Sequence, residues 1–439
     1  FGIAVDPLTF QAKMHPEIKR KSIMFQNRMM KLREPVGKIF SIAFTGDVCP
    51  KSPESRERAI HHAEELAADV KPFLASADLK IMQWETALTE ADTPIDKSGP
   101  NLKCPPACLN FGRALGIDVM LLANNHVGDF GPDAVLETIF HIENAGFRHA
   151  GAGKNLVDAR KTLFLEQNGF GIAIVNFAEN EFGTAGPDKP GVSPMHPFAN
   201  IRQIREAKKN ADIVIAAIHG GHEYYAYPSP RMVELYREYA AAGADIVWGC
   251  HTHCCAGCEI FGNVPIVYSP GNFYFPYPVP HPKCWNTGYL SKFYCDEKGV
   301  YALELLPYKF DTNAITPLNP GEEKLFFEYY EKISAPIRHP DLLQRCFEAW
   351  CTRSGISYLS CLNREKVENW PPDWTRREVV KSWLPARNLF TWLPCRNLFT
   401  CEAHSDMLKQ TLRLVEERRI GEAGKLLPEI LALQDPPWM

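Results

Sequence analysis

Between residues 38 and 275, short apolar runs alternate with longer stretches in which apolar side chains recur at helical spacing. Each apolar run is bounded by turn-forming residues and has the length of one buried strand. Strands that alternate with helices in this way predict an α/β fold with buried sheets. The apolar runs cover residues 38–47, 78–85, 118–126, 170–179, 212–221 and 245–253, and the helical stretches cover residues 55–75, 132–146 and 229–243.

The same patterning divides the whole chain into three parts. Residues 264–275, 288–297 and 299–310 predict further strands, whereas the later segments 322–336, 340–355 and 405–433 have helical periodicity. We therefore expect a basic N-terminal arm (1–37), an α/β domain (38–310) and a helical C-terminal extension (311–439). The arm lacks the apolar core of a secretory signal, so we interpret it as a solvated arm or helix.

The extension contains a tandem duplication, WLPARNLFT followed by WLPCRNLFT, at residues 383–400. Its period is shorter than that of solenoid repeats, so we interpret it as a local duplication within a loop. The extension shows no recognisable chemistry, and we expect it to be a packed helical appendage.

Polar side chains follow the predicted strands at the points where the strands end. In open α/β sheets the loops that leave the strand ends converge, and ligands bind at that edge. Carboxylate, imidazole and amide groups suit Zn²⁺, Mn²⁺ or Fe²⁺, so the pattern predicts one or two of these divalent ions. Two ions about 4 Å apart would lower the pKa of a shared water. The expected ligands are Asp47, Glu85, Asn125, His219, His251 and His253.

Three further residues are candidates for catalysis. His126 directly follows Asn125, and we expect it to act as an acid beside the metal, with Asp129 orienting it. Glu223, in the segment HGGHEYY, is expected to orient a ligand or contact the substrate. Arg231 is either a contact for an anionic substrate or a surface residue at a helix start.

Composition excludes two classes of protein. Hydrophobic residues make up 45% of the chain and charged residues 23%, which is typical of a globular protein. The net charge of −4 gives no electrostatic basis for nucleic-acid binding. No run approaches the ~18 apolar residues of a membrane span. The 14 cysteines are scattered, so we expect mostly reduced thiols and a cytoplasmic protein.

The segment GCHTHCCAGCE (249–259) has both histidines and cysteines in the spacing of metal ligands. A structural zinc knuckle needs a second ligand pair at a suitable distance, and a redox C-x-x-C is expected at a helix start rather than before another strand. A zinc deaminase would need H-x-E and P-C-x-x-C, which are absent. We therefore interpret the histidines as metal ligands and the cysteines as packing or loop residues.

Seven motifs resemble a known family in their order and rough spacing: TGDV, QWETAL, LLANNHVGDFG, GAGKN, HGGHEYY, GCHTH and VYSPGNFYF. They are similar to the poly-γ-glutamate capsule-synthesis (CapA-type) family, which resembles the calcineurin-like metallophosphoesterases. The resemblance covers residues 38–310. It implies a four-layer α/β/β/α sandwich with a metal centre at the strand ends, followed here by a C-terminal helical appendage.

The resemblance implies the same ligand set, with Asp47 in the first motif and Glu85 as the bridging carboxylate. Cys49 departs from the phosphoesterase pattern, in which the third position of the first motif is histidine. Glu85 replaces an aspartate, and Gln83-Trp84 replaces the usual Asn-Leu of the capsule family. These departures leave both a dinuclear and a mononuclear centre open.

Three functions follow as hypotheses. The first is a metal-dependent hydrolase of the capsule-synthesis type that uses metal-activated water on an anionic polymer, a γ-glutamyl or peptide-like substrate, or a phosphoester. The second is a metal-dependent peptide epimerase that removes an α-proton. The third is a non-catalytic polymer-binding or assembly component with a degenerate metal site.

Overall fold

A computed structural model describes residues 25–362 and 389–439 of the protein, and its strands form two large sheets and two small ones. The described strands are β1 (Met29–Lys31), β2 (Ile39–Val48), β3 (Leu79–Trp84), β4 (Ala87–Leu88), β5 (Lys103–Cys104), β6 (Val119–Leu121), β7 (Arg148–Ala150), β8 (Ala152–Gly153), β9 (Leu163–Gln167), β10 (Phe170–Ala178), β11 (Gly191–Val192), β12 (Ile213–His219), β13 (Ile246–Cys250), β14 (Cys255–Phe261), β15 (Val264–Pro270), β16 (Asn272–Tyr274), β17 (Thr287–Asp296), β18 (Gly299–Phe310) and β19 (Ile315–Pro317).

Helices connect these strands and make up most of the C-terminal part. The described helices are α1 (Pro53–His61), α2 (Ala63–Leu66), α3 (Lys71–Ala75), α4 (Asn110–Ala114), α5 (Gly131–Asn144), α6 (Leu156–Ala159), α7 (Pro197–Lys208), α8 (Pro230–Ala241), α9 (Pro320–Ser334), α10 (Pro340–Leu362), α11 (Leu389–Thr400), α12 (Glu402–Glu416), α13 (Ile420–Ala423) and α14 (Leu427–Ala432). Within residues 25–362 and 389–439, no helix has the length and apolar character needed to cross a lipid bilayer.

Both large sheets have parallel centres and antiparallel margins. The first sheet has the order β1-β18-β17-β2-β3-β6-β7, with β16 beside β2 and β19 beside β18, and its parallel strands are β2, β3, β6 and β7. The second sheet has the order β14-β15-β13-β12-β10-β9, and its parallel strands are β10, β12, β13 and β15. The carboxyl ends of the central strands therefore lie together at one edge of each sheet.

The two sheets pack face to face through large apolar side chains. Phe44 of β2 stacks on Trp248 of β13 with ring centroids 5.1 Å apart, and Phe40 stacks on Phe170 at 4.6 Å. Helices α1, α4 and α5 cover the outer face of the first sheet, and α7 and α8 cover that of the second. These layers confirm the four-layer α/β/β/α sandwich. Strands enclosed on both faces must be apolar throughout, and every residue of β12 is buried.

One close backbone approach fixes the strand that carries Asp47. Gly46 in β2 lies against Gly271, so closely that a Cβ atom at position 46 would be 1.9 Å from the Gly271 carbonyl oxygen. This contact allows β16 to pair with the end of β2, where Asn272 is opposite Asp47. A glycine is required here because any side chain would separate the two strands.

The helical pattern was predicted less accurately than the strands. Residues 55–75 were expected as one amphipathic stretch but belong to the three short helices α1, α2 and α3. The interpretation of the tandem duplication as a loop is wrong for its second copy, because residues 389–400 form α11. Burial explains the difference, since α11 packs against α10 and α12 and buries Asn397 and Leu398. Residues 383–388, in the first copy, lie outside the described residues.

The expected N-terminal arm, residues 1–37, is described from residue 25 onwards. Within it, β1 pairs with β18 at the margin of the first sheet, and Met30 is buried. At the other expected boundary, β19 extends the pairing of the first sheet to Pro317. The division into three parts remains a prediction.

Replacing Gly46 with alanine is expected to destabilise the protein by about 1–3 kcal/mol or more, because the methyl group overlaps the Gly271 carbonyl. Urea unfolding of the two proteins measures the difference. Gly421→Ala is the matched control, since no atom lies within 4 Å of a Cβ atom built there. An unchanged unfolding midpoint for Gly46→Ala would show that the two strands separate without cost.

Candidate metal centre

Six buried side chains form two groups of potential metal ligands at the carboxyl edge of the sheets. Within each group, one ligand atom from each residue lies within 4.8 Å of the others. Every one of the six residues is at most 4% exposed. The first group is Asp47, His219 and Cys250, and the second group is Glu85, His251 and His253.

The ends of four parallel strands position these side chains. Asp47 is the penultimate residue of β2, and Glu85 directly follows β3. His219 and Cys250 are the last residues of β12 and β13, which are neighbours in the second sheet. The site therefore joins the corresponding edges of both sheets.

The turn after β13 holds two histidines in an uncommon backbone conformation. His251 has φ = 102° and His253 has φ = 53°, both in the region that side chains other than glycine rarely adopt. Such residues cost on the order of 1–3 kcal/mol each and persist only where the surrounding structure holds them. Here the backbone N–H of His251 donates to Asp47 Oδ2 at 3.1 Å, and His253 Nδ1 lies 2.9 Å from Asn272 Oδ1.

The ligand atoms converge on His219. Its Nε2 lies 3.0 Å from Asn125 Oδ1, 3.0 Å from His251 Nδ1 and 3.5 Å from Glu85 Oε1. Asn125 follows β6 and is thus brought into the same site as expected from its place in the sequence. All six residues predicted as ligands therefore lie together.

Three carboxylate oxygens at the centre have no hydrogen-bond partner among the described residues: Asp47 Oδ1 and both oxygens of Glu85. Burial of a carboxylate without a partner is costly, because the charged form loses its hydration. Divalent cations prefer these oxygens together with imidazole nitrogens. The residues present thus fit one or two divalent metal ions.

Electrostatics separates the carboxylates from the histidines. Burial raises the pKa of Asp47 well above its usual range, and the charge of Glu85 raises it further. Burial likewise raises the pKa of Glu85, with added repulsion from Glu223 and Glu181. In contrast, burial lowers the pKa of His219 to about 4 and that of His253 to about 3. Without a cation, the site therefore favours neutral imidazoles and protonated carboxyl groups.

The cysteines were predicted only in part. Cys255 and Cys258 are buried free thiols in β14, in agreement with a packing role. Cys250 contradicts that interpretation, because its Sγ lies 3.2 Å from His219 Nδ1 within the first ligand group. Cys49 occupies the position where the phosphoesterase pattern has a histidine ligand. Among the described residues it belongs to neither of the two ligand groups at the centre. The thiol next to the centre comes instead from the end of β13.

His126 and Asp129 form a buried pair beside the ligands. His126 Nδ1 lies 2.7 Å from Asp129 Oδ2. The Lys97 ammonium donates to Asp129 Oδ1 at 2.6 Å and to the Asn125 carbonyl at 3.1 Å, and the Leu102 N–H donates to Asp129 Oδ2. Burial lowers the pKa of His126, and the charge of Lys97 lowers it further, so the imidazole is neutral at rest.

A cleft of about 640 Å³ leads to the centre. The Glu223 side chain is exposed to this cleft. Desolvation by the surrounding cleft walls raises its pKa to about 7, and the negative charge of Glu181 raises it further. Aromatic rings form one wall, where His281 and Trp285 stack at 4.0 Å. The lining residues that belong to the centre or lie beside it are Lys97, Asn125, His126, Glu181, Glu223 and His253.

The C-terminal helices complete the cleft, which corrects the expectation that they carry no recognisable chemistry. Tyr358 of α10, Leu398 of α11 and His404 of α12 line it together with residues of the α/β part. Glu181 also went unpredicted, although its Oε1 lies 3.7 Å from His251 Nε2. Its place just after the apolar run 170–179 was the only signal available in the sequence.

Arg231 neither contacts the cleft nor lies free on the surface. It follows the N-cap Ser229 in the first turn of α8, and it forms ion pairs with Glu179 at 2.6 Å and Asp406 at 2.5 Å. Burial raises the pKa of Glu179 to about 7, against the opposing effect of Arg231. Arg231 thus links the second sheet to α12.

Comparison with known sequences identifies the family. The model of the family described as "Bacterial capsule synthesis protein PGA_cap" matches residues 41–277. The chain belongs to this family. The match spans the strands that carry all six predicted ligands and ends before the C-terminal helices.

Individual relatives agree with this membership. The chain is 28% identical over 264 residues to the capsule biosynthesis protein CapA of Bacillus anthracis, covering 58% of this chain and 64% of that protein. It is 30% identical over 246 residues to the PGA biosynthesis protein CapA of Bacillus subtilis (strain 168), covering 54% and 63%. The chain thus spans just under two thirds of the length of these relatives.

Solved structures give weaker likenesses. A hypothetical protein from Thermus thermophilus superposes with a TM-score of 0.40 at 14% identity, covering 61% of this chain and 99% of that one. A 5'-nucleotidase precursor from the same organism gives a TM-score of 0.37 at 14% identity, covering 67% and 59%.

Metal binding at pH 7 is expected to release protons, on the order of one per ion bound, because Asp47 and Glu85 have raised pKa values and must ionise to ligate. The lowered pKa of His219 sets the lower end of the pH range in which metal binds. Affinity for the metal falls further as the pH approaches about 4, because the imidazole is then protonated. Isothermal titration calorimetry in buffers of different ionisation enthalpy measures the release. A heat of binding independent of the buffer would contradict the prediction.

Proposed function

We propose that this protein is a metal-dependent hydrolase whose catalytic centre binds one or two divalent ions, Mn²⁺, Zn²⁺ or Fe²⁺. The observation that carries the proposal is the set of three unpartnered carboxylate oxygens, which are surrounded by neutral imidazoles beside a cleft. Burial of these oxygens costs stability unless a cation is bound, and the adjoining cleft would give a substrate access to that cation. The proposed ligands are Asp47, Glu85, Asn125, His219, His251 and His253, with Cys250 beside them.

When bound, a divalent cation at such a site lowers the pKa of water and stabilises negative charge on a substrate oxygen. The protein's own contribution to proton transfer comes from His126. Its Nδ1 faces Asp129, so Nε2 is the nitrogen available to the cleft. Because the imidazole is neutral at rest, its Nε2 would accept a proton from the attacking water and then return that proton to the leaving group. Lys97 holds Asp129 in place.

The relatives and the cleft both support a substrate class. The relatives are named for capsule and PGA biosynthesis, which supports a γ-glutamyl or peptide-like bond in an anionic polymer as the target. The cleft has a volume of about 640 Å³ and borders both the centre and an aromatic wall, which supports a substrate larger than a single small group. A phosphoester is the alternative that the same centre would support.

The protein loaded with Mn²⁺ or Zn²⁺ is expected to cleave poly-γ-glutamate, and Asp47→Asn or His251→Gln is expected to lose bound metal and more than about 100-fold in kcat/KM, beyond the usual cost of an orienting residue. Elemental analysis and release of new amino groups measure the two effects. Asp92→Asn, at a carboxylate that is 98% exposed, is the control. Less than about half an equivalent of metal in the wild type would contradict the proposal.

Parallel assays separate the alternatives. Release of p-nitrophenolate from a phosphodiester, without cleavage of the polymer, would replace the amide substrate by a phosphoester. Incorporation of solvent deuterium at the α-carbon without bond cleavage would indicate epimerisation instead. Stoichiometric metal with none of these reactions would favour a binding or assembly role.

His126→Gln is expected to lower kcat by roughly 10²- to 10⁴-fold while metal content is unchanged, because the residue transfers protons without ligating the metal. Asp129→Asn should show a smaller loss and a shifted pH profile, since it removes the charge that faces Nδ1. His61→Gln, at a side chain that is 61% exposed, is the control. A loss of metal in His126→Gln would instead make His126 a ligand.

A further inference from the structure

A third group of potential ligands lies where the C-terminal helices meet the second sheet. It consists of Glu181, Cys401 and His404, with one ligand atom of each within 4.8 Å of the others. Glu181 lies in the loop after β10, whereas Cys401 is the N-cap of α12 and His404 lies in its first turn. His404 is three positions after Cys401, and residues at this spacing lie on the same side of a helix.

The start of α12 is held firmly against the sheet. Glu402 accepts hydrogen bonds from the backbone and the side chain of Asn180. One turn further on, Asp406 pairs with Arg231, which also pairs with Glu179. These contacts flank the Glu181 loop and the Cys401–His404 turn, so the three ligand atoms are brought together by a fixed junction.

Each of the three side chains is available to a cation. His404 Nδ1 lies 2.7 Å from the Tyr358 hydroxyl, which leaves Nε2 for a metal and supplies the hydrogen bond that usually orients a ligating imidazole. The Cys401 thiol is 1% exposed and lies 3.7 Å from Glu179 Oε2. Glu181 and His404 both line the cleft.

We propose that Glu181, Cys401 and His404 bind a zinc ion of their own. This ion is distinct from the one or two ions proposed at Asp47 and Glu85, although the two sites adjoin, since Glu181 Oε1 lies 3.7 Å from His251 Nε2. One thiolate, one imidazole and one carboxylate suit Zn²⁺, and three protein ligands leave the fourth tetrahedral position open. Because Glu181 and His404 line the cleft, an ion held there would be accessible to water or to an oxygen of an anionic substrate. The zinc ion also fastens α12 to the second sheet. The site does not depend on the proposed hydrolysis.

Cobalt substitution tests the thiolate ligand. Cys250 is the thiol of the other centre, so the full-length Cys250→Ser protein is loaded with Co²⁺. It is expected to retain near-ultraviolet absorption from a sulfur-to-cobalt bond, and the Cys250→Ser/Cys401→Ser protein is expected to lose it. Cys258→Ser, at an equally buried thiol outside both groups, should leave the absorption unchanged. Absence of the absorption in Cys250→Ser, or its persistence in Cys250→Ser/Cys401→Ser, would overturn the proposal.

Zinc content tests the site independently of activity. In full-length Asp47→Asn/Glu85→Gln, which removes the two central carboxylates, we expect about one equivalent of zinc to remain after dialysis. Adding His404→Gln, or the near-isosteric Glu181→Gln, should remove it while circular dichroism shows a folded protein. A folded double variant without zinc would overturn this proposal and leave the hydrolase proposal intact. Zinc lost only on His404→Gln, with none dependent on Asp47, would support this site and contradict the hydrolase.

Discussion

The burial of two carboxylates, Asp47 and Glu85, is the constraint on which the site depends. Both are fully buried at the ends of neighbouring parallel strands, and three of their four oxygens have no hydrogen-bond partner among the described residues. Two like charges in a medium of low polarity repel each other strongly and lose their hydration. The pair is therefore stable only when protonated or when positive charge is supplied. The neutral histidines around it provide lone pairs for a cation rather than that charge.

The centre could be predicted from the sequence because its polar residues lie where the apolar runs end. Asp47, Glu85, His219 and His251 each lie at the end of an apolar run, and parallel strands bring such ends to one edge. Two neighbours could not be found in that way. Cys250 ends an apolar run with a residue that is itself apolar in character, so it was interpreted as part of the core. Glu181 belongs to a loop without a recognised motif.

The fold was predictable to a similar extent, and for a similar reason. Strands enclosed on both faces leave long apolar runs, whereas the breaks between α1, α2 and α3 depend on local turns within one amphipathic pattern. Helix α11 depends on burial of Asn397 and Leu398 against other helices, which no local pattern shows. The contribution of the C-terminal helices to the cleft was not predicted, because Tyr358 and His404 lie far along the chain from the other residues that line it.

The ion pairs of Arg231 stabilise the attachment of the C-terminal helices to the second sheet. Its guanidinium pairs with Glu179 at the end of β10 and with Asp406 in α12, and Glu179 also accepts the backbone N–H of Ala403. Removal of one partner from a buried ion pair typically costs about 3–5 kcal/mol, because the other charge is left uncompensated. The position of α12 is therefore tied to the end of β10, which neighbours β12, the strand that ends in the candidate ligand His219.

This arrangement has a consequence for folding during synthesis. Synthesis proceeds from the N-terminus, so every strand that carries a ligand of the central site emerges from the ribosome before α11 and α12. The hydrogen bonds that anchor α12 join residues more than two hundred positions apart. Contacts with such a large sequence separation form more slowly than local ones. During that interval the cleft lacks the part of its lining that Leu398 and His404 provide, so ions from solution would reach the candidate ligands through a wider opening than in the complete fold.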